Sequence, residues 1–242
     1  MHKDYDYVID LDLTSPLRTA KDIKGVLNEL INNKTADLSF SVTTSRRSAY
    51  FNQVEQNDEG FFILDNAYAS YNQTSESLKM MLTEASQYND KKFNESISII
   101  DVAKKLGYKT YWFSNQTTMG KDSAISTMLG KTADKCYKVG RDGKVGYDKE
   151  LLDMLVDVKP DENNFIIIHL EGSHAYYKSR FPAEWRKFKE KSVVADYANT
   201  ILYTDEVLES IYNYANDKLN LNFMVYVSDH GENLQLGHGA TV

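Results

Sequence analysis

With one cysteine in 242 residues, Cys136, the chain can form no internal disulfide, and nothing in it signals adaptation to an oxidising compartment. Only 3 prolines occur and 42% of the residues are hydrophobic, a balance that excludes a disordered tract and fits a folded core. No apolar run approaches the ~20 residues needed to cross a bilayer. The opening Met1-His2-Lys3-Asp4-Tyr5 also lacks the basic-then-apolar pattern of a signal peptide, so a soluble chain, cytoplasmic if expressed as written, is expected. Positive charge is scarce too. Lys and Arg number 28 against 35 Asp and Glu, a net charge of -7, and the cations are scattered rather than striped, which excludes a nucleic-acid partner. No repeat, low-complexity tract or heptad pattern is present, and the 17 tyrosines are spread along the chain as half-buried packing residues would be.

What is present is an alternation of apolar runs and helical periodicities. Residues 7–13 read as a strand emptying into Thr14-Ser15-Pro16, residues 20–32 carry Ile23, Val26, Leu27, Leu30 and Ile31 at helical spacing, and residues 36–43 read as a strand, together a βαβ unit. Residues 46–60 are polar and aperiodic and end in the turn cluster Asn57-Asp58-Glu59-Gly60, which marks a boundary between a 1–60 unit and a 61–242 unit. Beyond it come a brief strand at 61–64, a helix over 75–83, a helix over 96–106 closed by Gly107, and a strand at 109–114. A helix over 149–156, an apolar strand at 164–170, a long helix over 196–215 and a last strand at 221–228 follow. Apolar strands separated by helices predict an α/β fold, a mostly parallel sheet covered on both faces, with ligands gathered at the carboxyl edge.

The polar clusters fall at those edges. Asp229-His230-Gly231-Glu232 directly follows the 221–228 run and presents a carboxylate beside an imidazole, a pairing that suits zinc or a similar divalent ion. His238 sits between glycines eight residues on, and His174 closes Leu170-Glu171-Gly172-Ser173 after the 164–170 strand. His169, inside that strand, reads equally as a core histidine and as one that orients a ligand. A nucleophile is offered by Asn72-Gln73-Thr74-Ser75-Glu76-Ser77, at a loop-to-helix junction whose N–H groups and dipole favour phosphate. The same residues also fit an ordinary N-cap built on Thr74 or Ser75.

Taken together, five stretches in order, LDNAYASYNQTSESLKMMLT, GYKTYWFSNQ, HLEGSHAYYKSRFP, ANTILYTDEVLESI and VYVSDHGENLQLGHG, make residues 61–242 resemble the catalytic domain of bacterial phosphoethanolamine transferases, relatives of sulfatases and alkaline phosphatases. The resemblance implies an alkaline phosphatase/sulfatase-like fold in which Thr74 is the nucleophile that becomes a phospho-enzyme and Asp229 and His230 hold the zinc that activates it. It further implies that His174 and His238 bind a second metal or the transferred phosphate. The implied donor is phosphatidylethanolamine and the implied acceptor a surface glycolipid such as lipid A or its core sugars; the family lies in the inner membrane with its catalytic domain in the periplasm.

The chain departs from that pattern in two ways. The family's first zinc ligand is a glutamate in a Gly-Glu-Ser strand end, and no Gly-Glu pair stands upstream of Thr74. Reduced activity is therefore expected unless Asp10, Asp12 or another carboxylate replaces it. Residues 5–60, with IDLDLTSPLRTAKDI, ADLSFSV and RRSAYFNQVE, instead resemble an internal stretch of N-acylneuraminate cytidylyltransferases, the enzymes that make CMP-activated sialic acids. That likeness places Thr14, Ser15, Pro16 and Arg18 in the remnant of a sugar-nucleotide pocket and makes the chain a truncated hybrid.

The sequence thus admits a zinc phosphoethanolamine transferase, a cytidylyltransferase fragment, or a non-catalytic hybrid remnant. Sulfatase chemistry proper is disfavoured, because Lys135-Cys136-Tyr137 lacks the C/S-x-P/A-x-R context that formylglycine formation needs.

Overall fold

The computed structural model describes residues 68–116, 123–139 and 146–234. The chain divides into two compact units, Met1–Ala69 and Ser70–Val242, and the elements below belong to the second. The βαβ reading of residues 7–43, the strand at 61–64, the pocket remnant Thr14, Ser15, Pro16 and Arg18, and His238 all lie outside the described residues.

In chain order the elements are α1 (Thr74–Leu82), α2 (Ile99–Lys105), β1 (Lys109–Ser114), α3 (Ser123–Thr132), β2 (Lys135–Lys138), α4 (Leu151–Met154), β3 (Asn164–His169) and α5 (Val193–Lys218). Ser98 starts α2 with a capping box, accepting from the Asp101 N–H while the Asp101 carboxylate accepts from the Ser98 N–H, and Gly107, at φ 89°, turns the chain out of the helix. Such a φ suits glycine because it has no Cβ to clash. The expected helix over 149–156 is instead α4 with a 3₁₀ turn at each end, Asp148–Glu150 and Leu155–Asp157. The long helix runs further than its periodicity predicts, Ser192 capping it by accepting from the Ala195 N–H.

The three strands pair in parallel in the order β2-β1-β3, with Trp112 opposite Cys136 and Ile167. Alternation along β1 sends Tyr111 and Phe113 to one face and Trp112 to the other. On the first face they join Leu151, Leu155, Phe181, Tyr203, Val207 and Ile211, from α4, α5 and their flanks. On the second, Trp112 packs with Leu78 of α1, Ile100 of α2 and Leu129 of α3. Tyr111, Trp112 and Phe113 are buried, each contributing roughly 1.5–3 kcal/mol of hydrophobic stabilisation. The fold is the α/β arrangement that the sequence predicts.

One predicted strand is corrected. Residues 221–228 form no ladder among the described residues, although Met224 packs against the Tyr111–Phe113 core. Phe223, Val225 and Val227 are exposed. An apolar run becomes a strand only where a neighbour takes its N–H and C=O groups, and among the described residues β3 pairs only with β1.

The tight fit of α3 on β1 carries a prediction. A Cβ on Gly130 would stand 2.8 Å from Trp112 Cδ1, against an indole that is fully buried. Gly130→Ala should therefore cost about 1–3 kcal/mol, more than the gain in helix propensity returns. A lower urea midpoint at unchanged m-value is the expected reading; a midpoint at or above wild type would show that the contact is slack.

Candidate active site

Thr74 is the first residue of α1, and the N-cap is Gln73, which makes no side-chain capping bond. The Thr74 hydroxyl is thus not the helix cap. Instead its Oγ1 stands 3.5 Å from Nε2 of His230, a residue 156 positions along the chain. The approach to the helix is fixed from inside: Ser77, buried, donates its hydroxyl to the Tyr71 carbonyl at 3.1 Å. A helix start with its N–H groups and positive dipole end beside a hydroxyl favours a negatively charged group at that oxygen.

His230 is oriented by its own loop. Its Nδ1 lies 2.8 Å from the Gly231 carbonyl, which can only accept, so Nδ1 donates there; in the neutral imidazole the Nε2 facing Thr74 then presents a lone pair. Asp229 Oδ2 lies 3.7 Å from the same Nε2, and Asp229 Oδ1 accepts the His230 N–H at 3.1 Å. His230 Nε2 therefore lies within 4 Å of both a hydroxyl and a carboxylate. Ligands about 2.0–2.1 Å from a tetrahedral zinc stand roughly 3.3–3.4 Å apart, so separations of 3.5 and 3.7 Å fit a shared ion with small adjustments. Among the described residues no group of three His, Cys, Asp or Glu side chains stands close enough to hold a metal ion.

His169 ends β3 with Nδ1 3.1 Å from the Ser126 hydroxyl and its ring edge-on to Trp112, centroids 5.7 Å apart. Burial drives its pKa down to about 4, with Lys138 adding to the shift and the Asp229 carboxylate opposing it. The imidazole is neutral at pH 7. Because the unfolded chain takes up this proton near pH 6.5 and the folded chain only near 4, stability should fall as pH drops through that window. The loss should level off below pH 4 at on the order of 3 kcal/mol. His169→Gln should remove that part of the slope when urea unfolding of the metal-free protein is followed from pH 7.5 to 3.5; parallel curves for the two proteins would contradict it.

His174 lies in a turn beyond β3. Its N–H donates to the Glu171 carbonyl at 3.3 Å, and its Nδ1 is 3.8 Å from Glu171 Oε1. Sequence reasoning missed the groups around this turn: Asn115, Asp148, Glu171 and Arg180. The Asp148 carboxylate accepts the N–H groups of Glu171 and Gly172, both at 2.8 Å, and Asn115 Nδ2 at 2.7 Å. Arg180 pairs with Glu171 at 2.8 Å. Further on, burial raises the Tyr177 pKa, and the nearby Glu232 carboxylate adds to the shift. The His174 segment thus leads to a tyrosine close to the Asp229–Glu232 loop.

The Sulfatase family model matches residues 33–241. Phosphoethanolamine transferase EptC of Escherichia coli (strain K12) is 30% identical over 197 residues, which cover 74% of this chain and 34% of that protein. Phosphoethanolamine transferase CptA of Salmonella typhimurium is 32% identical over 201 residues, again 74% of this chain and 34% of that protein. The chain thus spans about a third of the length of these curated relatives. The crystal structure of the C-terminal periplasmic domain of EptC from Escherichia coli in complex with zinc superposes with a TM-score of 0.56 at 29% identity, covering 63% of this chain and 48% of that one. The Sulfatase match begins upstream of Gly60 and takes in residues 33–60, and the likeness of residues 5–60 to cytidylyltransferases finds no support. With its parallel sheet and phosphoethanolamine transferase relatives, the chain belongs to the Sulfatase family.

Proposed function

We propose that this domain transfers phosphoethanolamine from phosphatidylethanolamine to a surface glycolipid, such as lipid A or its core sugars, through a phospho-threonine enzyme. The observation that carries the reading is the approach of Thr74 Oγ1 to His230 Nε2 at the start of α1. Thr74, Asp229 and His230 would hold zinc, and His174 and His238 would engage the transferred phosphate or a second metal. Zinc, when bound, lowers the pKa of a hydroxyl and offsets charge on a phosphoryl oxygen.

The remaining work falls to the chain's own groups. The Thr74 oxygen attacks the phosphorus of the donor as the bond to the diacylglycerol oxygen breaks, and the diacylglycerol leaves with a proton. An acceptor hydroxyl then attacks the same phosphorus, loses its proton and breaks the bond to Thr74 Oγ1, restoring the hydroxyl. The α1 N–H groups steady the phosphoryl oxygens in both displacements, and the Gly231 carbonyl keeps His230 facing the reacting oxygen. A lipid donor requires work beside a membrane, which fits the periplasmic placement given for the EptC domain. Among the described residues no helix is long and apolar enough to cross one.

The test is turnover of a soluble phosphoethanolamine diester, with and without a zinc chelator. Turnover that the chelator stops and added zinc restores supports the proposal. A folded protein inactive in both conditions would instead identify a non-catalytic remnant. No CMP-sugar should form from CTP and a sialic acid under any of these conditions, since the Sulfatase match takes in residues 33–60 of the stretch that resembled a cytidylyltransferase; measurable CMP-sugar would reopen that reading.

A further inference from the structure

The turn that carries His174 is gripped from two sides by buried charges. On one side Asp148, at 2% exposure, accepts from two backbone groups and one side chain: Oδ1 takes the Glu171 N–H and the Asn115 Nδ2, and Oδ2 takes the Gly172 N–H. Gly172 has a φ of 57°, so the backbone swings through the left-handed region to offer both N–H groups to one carboxylate. Asn115 is held in turn by the Gly146 carbonyl and N–H, at 2.8 and 3.1 Å.

On the other side Arg180 takes the acceptors. Its Nη1 pairs with Glu171 Oε1 at 2.8 Å, its Nε donates to the His174 carbonyl at 3.1 Å, and its Nη2 donates to the Ala175 carbonyl at 2.6 Å. The side chains of Arg180 and Glu171 are 10% and 6% exposed. Buried charges persist only when hydrogen-bonded, and these bond to the backbone on both sides of His174.

We infer that Asp148 and Arg180 are positioning residues that fix the 171–175 turn, and with it His174, for phosphoryl transfer at Thr74. The inference rests on the role proposed above for His174 in holding the transferred phosphate. The turn leads directly to Tyr177, which lies near enough to Glu232, in the loop of Asp229 and His230, to feel its charge. A hydrogen-bonded carboxylate could serve folding alone, but the geometry predicts a kinetic signature besides. Asp148→Asn keeps the volume and replaces one acceptor oxygen with a donor facing an N–H, so the turn shifts while the sheet stays packed. Arg180→Lys keeps the charge but supplies one nitrogen where Glu171 and the two carbonyls need a fork.

The experiment compares wild type, Asp148→Asn, Arg180→Lys and Thr74→Ala, using the soluble phosphoethanolamine diester with zinc and backbone hydrogen exchange. Both positioning variants should lower kcat/KM at least tenfold, with most of the loss in kcat. Each should still bind zinc as wild type does, and faster exchange should be confined to residues near 171–175. Wild-type kinetics in both variants would overturn the inference, and so would exchange that rises throughout the sheet or zinc lost in proportion to activity, since those mark a purely structural role. If Asp148→Asn fails to fold, Arg180→Lys decides alone by the same criteria. If wild type turns over no faster than Thr74→Ala, the Thr74 reading itself falls and takes the inference with it. If wild type is active, Thr74→Ala inactive and the positioning variants normal, only the inference falls.

Discussion

Thr74→Ala is expected to abolish the phospho-enzyme and to lower phosphoethanolamine transfer by on the order of a thousandfold or more, with the fold intact. The asymmetry follows from where the residue sits. Thr74 is half-buried at the first position of α1, where alanine is a better helix former, and the cap position belongs to Gln73. The substitution therefore loses no capping bond, and stability should change by less than about 0.5 kcal/mol. What it removes is the oxygen that meets His230 Nε2 at 3.5 Å. Thr74→Ser retains that oxygen and should retain measurable turnover. If Thr74→Ala keeps more than a tenth of wild-type turnover, another nucleophile or a direct displacement operates.

The second large effect is on metal. Asp229→Ala and His230→Ala should each weaken zinc binding by roughly a hundredfold or more, because under the proposed function each would delete a direct donor from a small set. His230→Ala removes the lone pair that the Gly231 carbonyl orients, and Asp229→Ala removes the carboxylate 3.7 Å from that nitrogen. The two variants should resemble each other, since the donors act on one ion. Glu84→Ala is the control: Glu84 pairs with Lys91 at the surface, which holds its pKa below the usual carboxylate range, and it lies outside the donor set. Zinc bound as tightly by Asp229→Ala and His230→Ala as by Glu84→Ala would place the metal elsewhere.

Much of the fold was legible because its strongest signals are local. The apolar runs at 109–114 and 164–169 are strands, the periodicity after Ser192 is a helix, and Gly107 ends α2. β2 escaped notice because it is four residues, Lys135–Lys138, with two lysines and one exposed position, too short for alternation to register. Residues 221–228 misled in the opposite direction. Their hydrophobicity matches a buried strand, but pairing depends on a neighbour that periodicity does not report.

The candidate site divides along the same line. Asp229 and His230 drew attention because a carboxylate and an imidazole at the end of an apolar run are chemically conspicuous, whereas Thr74 was singled out by the family resemblance, and only the three-dimensional structure sets it opposite His230. Asp148 and Arg180 were invisible. In the sequence Asp148 looks like the start of an ordinary helix and Arg180 like one of many cations, and their importance lies in which backbone groups they reach, 23 and 24 positions away for Asp148.

The central claim is that Thr74 carries the phosphoethanolamine group, and mass spectrometry of the intact protein and its peptides after brief exposure to donor and zinc tests it most directly. A single phosphoethanolamine adduct on the peptide containing Thr74, absent from Thr74→Ala and discharged by an acceptor hydroxyl, is the predicted result. An unmodified Thr74 peptide during active turnover, or an adduct on a different residue, would contradict it.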